Sequence, residues 1–188
     1  SSWHVAFPAG DEVDLLRAHG LLVSHNVQFH WRNHGYGDFA GFIGTFAAER
    51  RRKVRAERRR VAESGLRIEV RHGDEIAPGE WPELHNLYAS TFDKYGNYAA
   101  FSPECFADLA SALGRRMVTF IASENDSPVA ISICFRSGDT LYGRYWGTNA
   151  NYHSLHFELC FYQGIDYCLR EGLGTFEPGA GGEHKVAR

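Results

Sequence analysis

The alternation of apolar and polar positions is most regular from Leu66 onward. Leu66–Val70 alternates with a period of two and predicts a strand. Pro78 and Pro82 flank the start of a helix that carries Trp81, Leu84, Tyr88 and Phe92 on one side. Ser102 is placed to cap a second helix, with Pro103 at its first position, Phe106, Leu109 and Leu113 on its apolar face, and Gly114 at its end. Met117–Ala122, Val129–Phe135 and Thr140–Gly147 read as three strands. Their connections, Glu124–Ser127 and Arg136–Asp139, are short and rich in turn formers, which predicts a meander. A long helix from Leu155 to Glu171 follows, stopped by Gly172, and then a short strand, Gly174–Glu177. The predicted order is strand, two helices, three-strand meander, helix, strand.

The first third is less regular. Trp3–Phe7 and Val27–Trp31 read as strands, Glu12–Ala18 as a helix ended by His19-Gly20, and residues 33–37 as a turn. Asp38 can cap a helix that begins near Phe39 and runs to about Glu63, where Ser64-Gly65 stops it. Ala47, Val54 and Val61 recur every seven residues along it. So narrow a stripe leaves most of the helix facing water or a partner. The expected organisation is an incomplete unit over residues 1–38, a basic linker helix over 39–65, and a complete domain over 66–188.

Charge sharpens this picture. The net charge is −3, yet residues 50–60 hold eight of the 20 Lys and Arg against the single acid Glu57. The remainder of the chain therefore stands at −10, an acidic body joined to one short positive segment. Of 188 residues 44% are hydrophobic and 14% aromatic, enough for a packed core, which excludes a disordered chain. No apolar run approaches the ~20 residues needed to cross a bilayer. The chain opens on Ser1-Ser2-Trp3-His4, with neither Met nor a basic segment ahead of an apolar one. This reads as a processed or excised piece of a cytoplasmic protein. Cys105, Cys134, Cys160 and Cys168 form no Cys-x-x-Cys pair and are expected to be reduced thiols. No Ser-His-Asp order, HExxH or paired ligand spacing is present, so hydrolase and metalloenzyme readings lack support and no metal is expected.

Candidate chemistry lies in three consecutive pieces near the C-terminal end. Arg144, between Tyr142 and Trp146 on the third meander strand, shares a face with both if alternation holds. It could grip a carboxylate or phosphate, or could simply stack on its aromatic neighbours. On the following helix His156 and Gln163 fall on one face, and Glu158 and Tyr162 on another. A nearly all-apolar helix is buried, so these groups need partners, either substrate or a structural hydrogen-bond network. The loop from Glu177 to Lys185 has four Gly or Pro in nine residues and adds Glu183, His184 and Lys185. Acyl transfer to an amine needs a proton acceptor, here Glu177, Glu183 or His184, and a group such as Lys185 to meet developing negative charge. The alternative is a solvated loop. Arg50, Lys53, Arg55 and Arg58 could follow a phosphate backbone, or serve as a solvated face paired with the acidic body.

Several of these segments, taken together, resemble a known family. The strand and helix order is similar to the GNAT N-acyltransferase architecture. Gln28-Phe29-His30-Trp31, the basic helix, Leu141–Gly147, Leu155–Cys160, Tyr162-Gln163 and Gly182-Glu183-His184-Lys185 resemble the FemAB-like family of peptidoglycan biosynthesis and recognition, across essentially the whole chain. The resemblance implies an α/β (α+β) fold, a GNAT-like mixed and largely antiparallel sheet flanked by helices. It also implies N-acyl transfer to a small-molecule or peptide amine, with acyl-coenzyme A or aminoacyl-tRNA as the candidate donor. The stretch Asn149–Ser154 has no glycine where ordinary GNAT enzymes cradle a pyrophosphate, which disfavours coenzyme A. A binding module that recognises a cell-wall or amino-acid-like ligand without catalysis is the competing expectation. The sequence does not fix the oligomeric state.

Overall fold

In the computed structural model residues 3–5, 8–25 and 27–179 are described. Six strands lie among them: β1 (Trp31–Arg32), β2 (Arg67–His72), β3 (Met117–Glu124), β4 (Ser127–Ser137), β5 (Thr140–Thr148) and β6 (Thr175–Glu177). They form one sheet in the order β1-β6-β5-β4-β3-β2. Every neighbouring pair is antiparallel except β5 and β6, which run parallel. The meander appears because Asn125 and Asp126 both adopt positive φ and close a two-residue turn between β3 and β4. The sheet is the GNAT-like mixed arrangement expected from the sequence.

Helices cover both faces. α4 (Trp81–Lys94) and α5 (Pro103–Leu113) pack on one. Ser102 Oγ accepts from the Cys105 N–H, and Gly114 ends α5 at positive φ, as the sequence predicts. There Trp81 and Phe106 stack at 5.5 Å, while Tyr88 meets Phe106 at 4.8 Å and Tyr145 at 5.1 Å, edge to face. Gly147 of β5 is required by this packing, since a Cβ there would lie 1.7 Å from the carbonyl oxygen of Leu87 on α4.

The other face carries α2 (Phe39–Gly44), α3 (Ala48–Glu63) and the crossover between β5 and β6. That crossover is α6 (Leu155–Phe157), a π-helical turn over Glu158–Tyr162, and α7 (Gln163–Glu171), ended by Gly172 at positive φ. Residues 39–63 are therefore not the single helix expected. Asp38 caps α2 through the Gly41 N–H at 2.7 Å, but after Gly44 the Thr45 hydroxyl donates to the Phe42 carbonyl and the chain bends. The bend has a packing reason. It lets Phe39, Phe42 and Ile43 reach the same core as Val54 and Val61.

Toward the start, α1 (Gly10–Ala18) buries no side chain. The expected strand Val27–Trp31 shrinks to Trp31–Arg32, and residues 3–5 form none. Cys134 and Cys168 are buried thiols, their pKa pushed up to about 12 by loss of water, and all four cysteines are free. Removing Phe106, which is fully buried, is expected to cost about 3–5 kcal/mol. Urea unfolding of Phe106→Ala measures it. Leu22→Ala, at a fully exposed position, should change stability by less than about 0.5 kcal/mol.

Candidate functional site

Parallel pairing between β5 and β6 covers only Thr140↔Thr175, Leu141↔Phe176 and Tyr142↔Glu177. Pro178 then ends the ladder because it has no N–H to donate. Opposite it, Gly143 allows the two backbones to approach, with an added Cβ 3.3 Å from Pro178. The next residue of β5, Arg144, falls in a register shift against β4, where Ile133 pairs with Tyr145 and Cys134 with Gly143. Such a bulge leaves its extra residue outside the ladder and re-aims the side chains around it.

Glu177 closes this end of the sheet. Its side chain is 14% exposed. β1 pairs with β6 on the far side, Trp31 opposite Phe176, so the residues preceding Trp31 run past Glu177. Gln28 Nε2 donates to Glu177 Oε1, and the half-exposed His30 ring places Nε2 3.9 Å from Oε2. A carboxylate oriented by an amide, with an imidazole beside it, is an arrangement able to accept and pass on a proton.

A second polar cluster joins α3 to the crossover. The π-helical turn closes with the Gln163 N–H on the Glu158 carbonyl, five residues back. Gln163 Nε2 consequently donates to Glu158 Oε1 at 2.8 Å. Arg58 adds Nε and Nη2, each at 3.2 Å from the same oxygen, and lies 4.3 Å above the Phe39 ring. Glu158 is 3% exposed, and its Oε2 has no hydrogen-bond partner among the described residues. Burial raises the Glu158 pKa, with the charge of Arg58 and the bonds from Gln163 and Arg58 opposing it. Nearby, the Tyr162 hydroxyl donates to the buried Glu57 carboxylate.

The predicted candidates thus distribute over distinct neighbourhoods. Glu177 meets Gln28 and His30, Gln163 and Arg58 both meet Glu158, Tyr162 meets Glu57, and Trp146 meets His156 edge-on at 5.2 Å. Two expectations about shared faces are corrected. Tyr142, Arg144 and Trp146 do not share a strand face. The bulge at Arg144 shifts the alternation, so Tyr142 pairs with Phe135 of one core while Trp146 packs against the other, and Arg144 is exposed. Likewise the π-helical turn, not a seven-residue α repeat, sets the helix faces, and Gln163 joins Glu158. Along the basic helix Arg58 is committed to Glu158 and Arg50 lies over Phe46 at 4.9 Å, whereas Lys53 and Arg55 are exposed. Glu183, His184 and Lys185 lie outside the described residues. Gln28 and His30 were not among the predicted site residues. Their only sequence signal is the motif ending at Trp31.

No group of three or more His, Cys, Asp or Glu among the described residues could hold a metal ion. Nor is any helix among them long and apolar enough to cross a membrane.

An antiparallel meander followed by a crossover helix and a parallel strand makes up the GNAT-like mixed fold. The chain belongs to the FemAB-like family, described as peptidoglycan biosynthesis/recognition, which it matches over residues 1–188. It is similar in fold to L-PGS from Bacillus licheniformis (TM-score 0.61, 12% identity), covering 90% of this chain and 50% of that one. It is also similar to the C-terminal domain of an Agrobacterium fabrum protein assigned as a lysylphosphatidylglycerol synthetase (TM-score 0.57, 14% identity), covering 73% and 44%. A conserved protein of unknown function from Bacteroides thetaiotaomicron matches with a TM-score of 0.51 and 13% identity over 95% of this chain and 62% of that chain. The chain thus spans about half the length of the first two proteins. No curated protein matches it.

The Glu158 environment makes a pH-dependent prediction. A raised carboxyl pKa means that the folded state holds a proton the unfolded chain releases near pH 4.3. Stability from the protonated form is full below that value and falls as pH rises through the raised one. Glu158→Gln cannot titrate, so its urea midpoint should gain on the parent from about pH 4 upward. Parallel pH profiles for the two proteins would contradict the assignment.

Proposed function

We propose that this chain is the acyl-transfer module of a FemAB-like N-acyltransferase, joining an acyl or aminoacyl group to the amine of a small molecule or peptide. The observation that carries this reading is the pairing of Glu177 with His30 where the parallel strands β5 and β6 part. In mixed α/β sheets ligands settle beyond the carboxyl ends of parallel strands. Glu177 and His30 would take the proton that the substrate ammonium must lose before its nitrogen can attack, with Gln28 holding the carboxylate in place. Backbone groups at the Arg144 bulge, outside the ladder, would receive the oxyanion of the tetrahedral intermediate. Arg144 itself would anchor an anionic group of the substrate, and Glu183, His184 and Lys185 would complete the acid–base and charge-stabilising set.

Transfer proceeds here in a ternary complex: the amine attacks the donor carbonyl directly, and the tetrahedral intermediate collapses with cleavage of the donor's ester or thioester bond, its oxygen or sulfur leaving with a proton. Two features favour an aminoacyl-tRNA-type donor over coenzyme A. Residues 149–154 contain no glycine, and of the first amides of the helix after them the Leu155 N–H is already bonded to the Tyr152 carbonyl and the Glu158 N–H to the Ser154 carbonyl. Well-formed N-terminal amides for a pyrophosphate are therefore few.

The test is a transfer assay on the intact protein, offering labelled acyl-coenzyme A and aminoacyl-tRNA against a panel of amines that includes muropeptides. With a productive pair in hand, Glu177→Gln should lower turnover about 10²–10⁴-fold while leaving the melting temperature unchanged. His30→Gln should act in the same direction. Full activity in both variants would remove this assignment. Ligand-induced thermal stabilisation without product would instead identify a recognition module.

A further inference from the structure

A groove away from the strand ends carries features that acyl transfer at Glu177 does not use. It opens between α2, α3 and the outer strand β2, with a volume of about 710 Å³, within the ~300–1,000 Å³ typical of small-molecule sites. Ala40, Ala62, Leu66 and Ile68 give it an accessible apolar wall. Arg55, Arg58 and Arg59 line it from α3.

The charge on this wall is not balanced from within. Glu158, which lines the groove, and Glu57 on α3 are buried and engaged, the first by Arg58 and Gln163 and the second by Tyr162. The same Glu158 contact, with Phe39 beneath, fixes the Arg58 guanidinium in one place. Arg55 and Arg59, four residues apart and so on one helical face, make no ion pair among the described residues. Fixed and free guanidinium groups above an apolar wall match an anionic head joined to a hydrocarbon body. Nucleic acid fits less well. Binding of single strands uses exposed aromatic platforms, whereas Phe39, the aromatic ring lining the groove, is 7% exposed and lies under Arg58.

We propose that the groove between α2, α3 and β2 binds a single-chain anionic amphiphile, its head on Arg55, Arg58 and Arg59 and its chain along Leu66 and Ile68. The site shares no residue with the Glu177 cluster, so ligand occupancy there is separable from catalysis.

Titration of the protein with decanoate, below the concentration at which it forms micelles, tests this by calorimetry. One saturable site is expected, unchanged in Glu177→Gln. Replacing Arg55 and Arg59 together by Ala should weaken it at least about tenfold, a loss of about 1.4 kcal/mol. Ala62→Glu, which sets a carboxylate on the wall at an exposed position, should abolish it. Both variants alter exposed helix positions and should melt as the parent does. Absence of saturation in the parent overturns the proposal, as does parental affinity in both variants. If decanoate fails and a single-stranded RNA binds through Arg55 and Arg59 with a steep salt dependence, the groove belongs to nucleic acid instead.

Discussion

Parallel strands cannot be joined by a hairpin, so the three-residue ladder between Thr140–Tyr142 and Thr175–Glu177 obliges the chain to cross the sheet between them. Residues 155–171 make that crossing as a helix, and its buried face supplies Leu155, Leu159, Ile165 and Cys168 to the core it shares with α2 and α3. The ladder also decides where polar groups can gather. It stops at Pro178, which leaves Glu177 at an open strand end. The antiparallel partner on its outer side, Trp31–Arg32, brings Gln28 and His30 alongside.

Docking of the basic helix follows from the same crossover. A five-residue π-helical turn turns Glu158 and Gln163 to the same side, where Glu158 accepts from both Gln163 and Arg58. A buried carboxylate without such partners would be costly, and an arginine-rich helix without an acid to receive it would have little reason to settle on an apolar core. The two features therefore depend on one another. The segment from Phe39 to Glu63 is packed into the same core as the sheet through Phe39, Phe42, Ile43, Val54 and Val61, rather than standing apart as a solvated spacer.

FemAB-like membership gives this chain its family, and the likeness to L-PGS gives the fold the two share. Identities of 12–14% convey the backbone arrangement and no more. What distinguishes this chain within that fold is local: a carboxylate–imidazole pair at the strand end, and an arginine-lined apolar groove elsewhere. One suits proton transfer and the other suits anion binding, because the first sets its acid beside a half-exposed imidazole while the second buries its acids and leaves Arg55 and Arg59 exposed.

Short-range physics was legible in the sequence. Period-two runs, the Ser102-Pro103 helix start, the stops at Gly114 and Gly172 and the turn at Asn125-Asp126 depend on residues within a few positions of one another, and each appears where its pattern predicts. The bulge at Arg144, the π-helical turn and the bend after Gly44 depend on partners tens of residues away. Alternation and helical spacing taken alone therefore misplaced the faces of Tyr142, Trp146 and Gln163. Glu177 was legible as an acid in a candidate loop. That it meets His30 and Gln28, almost 150 residues earlier in the chain, was decided only when β1 paired with β6, since strand pairing brings together segments whose separation no local pattern records.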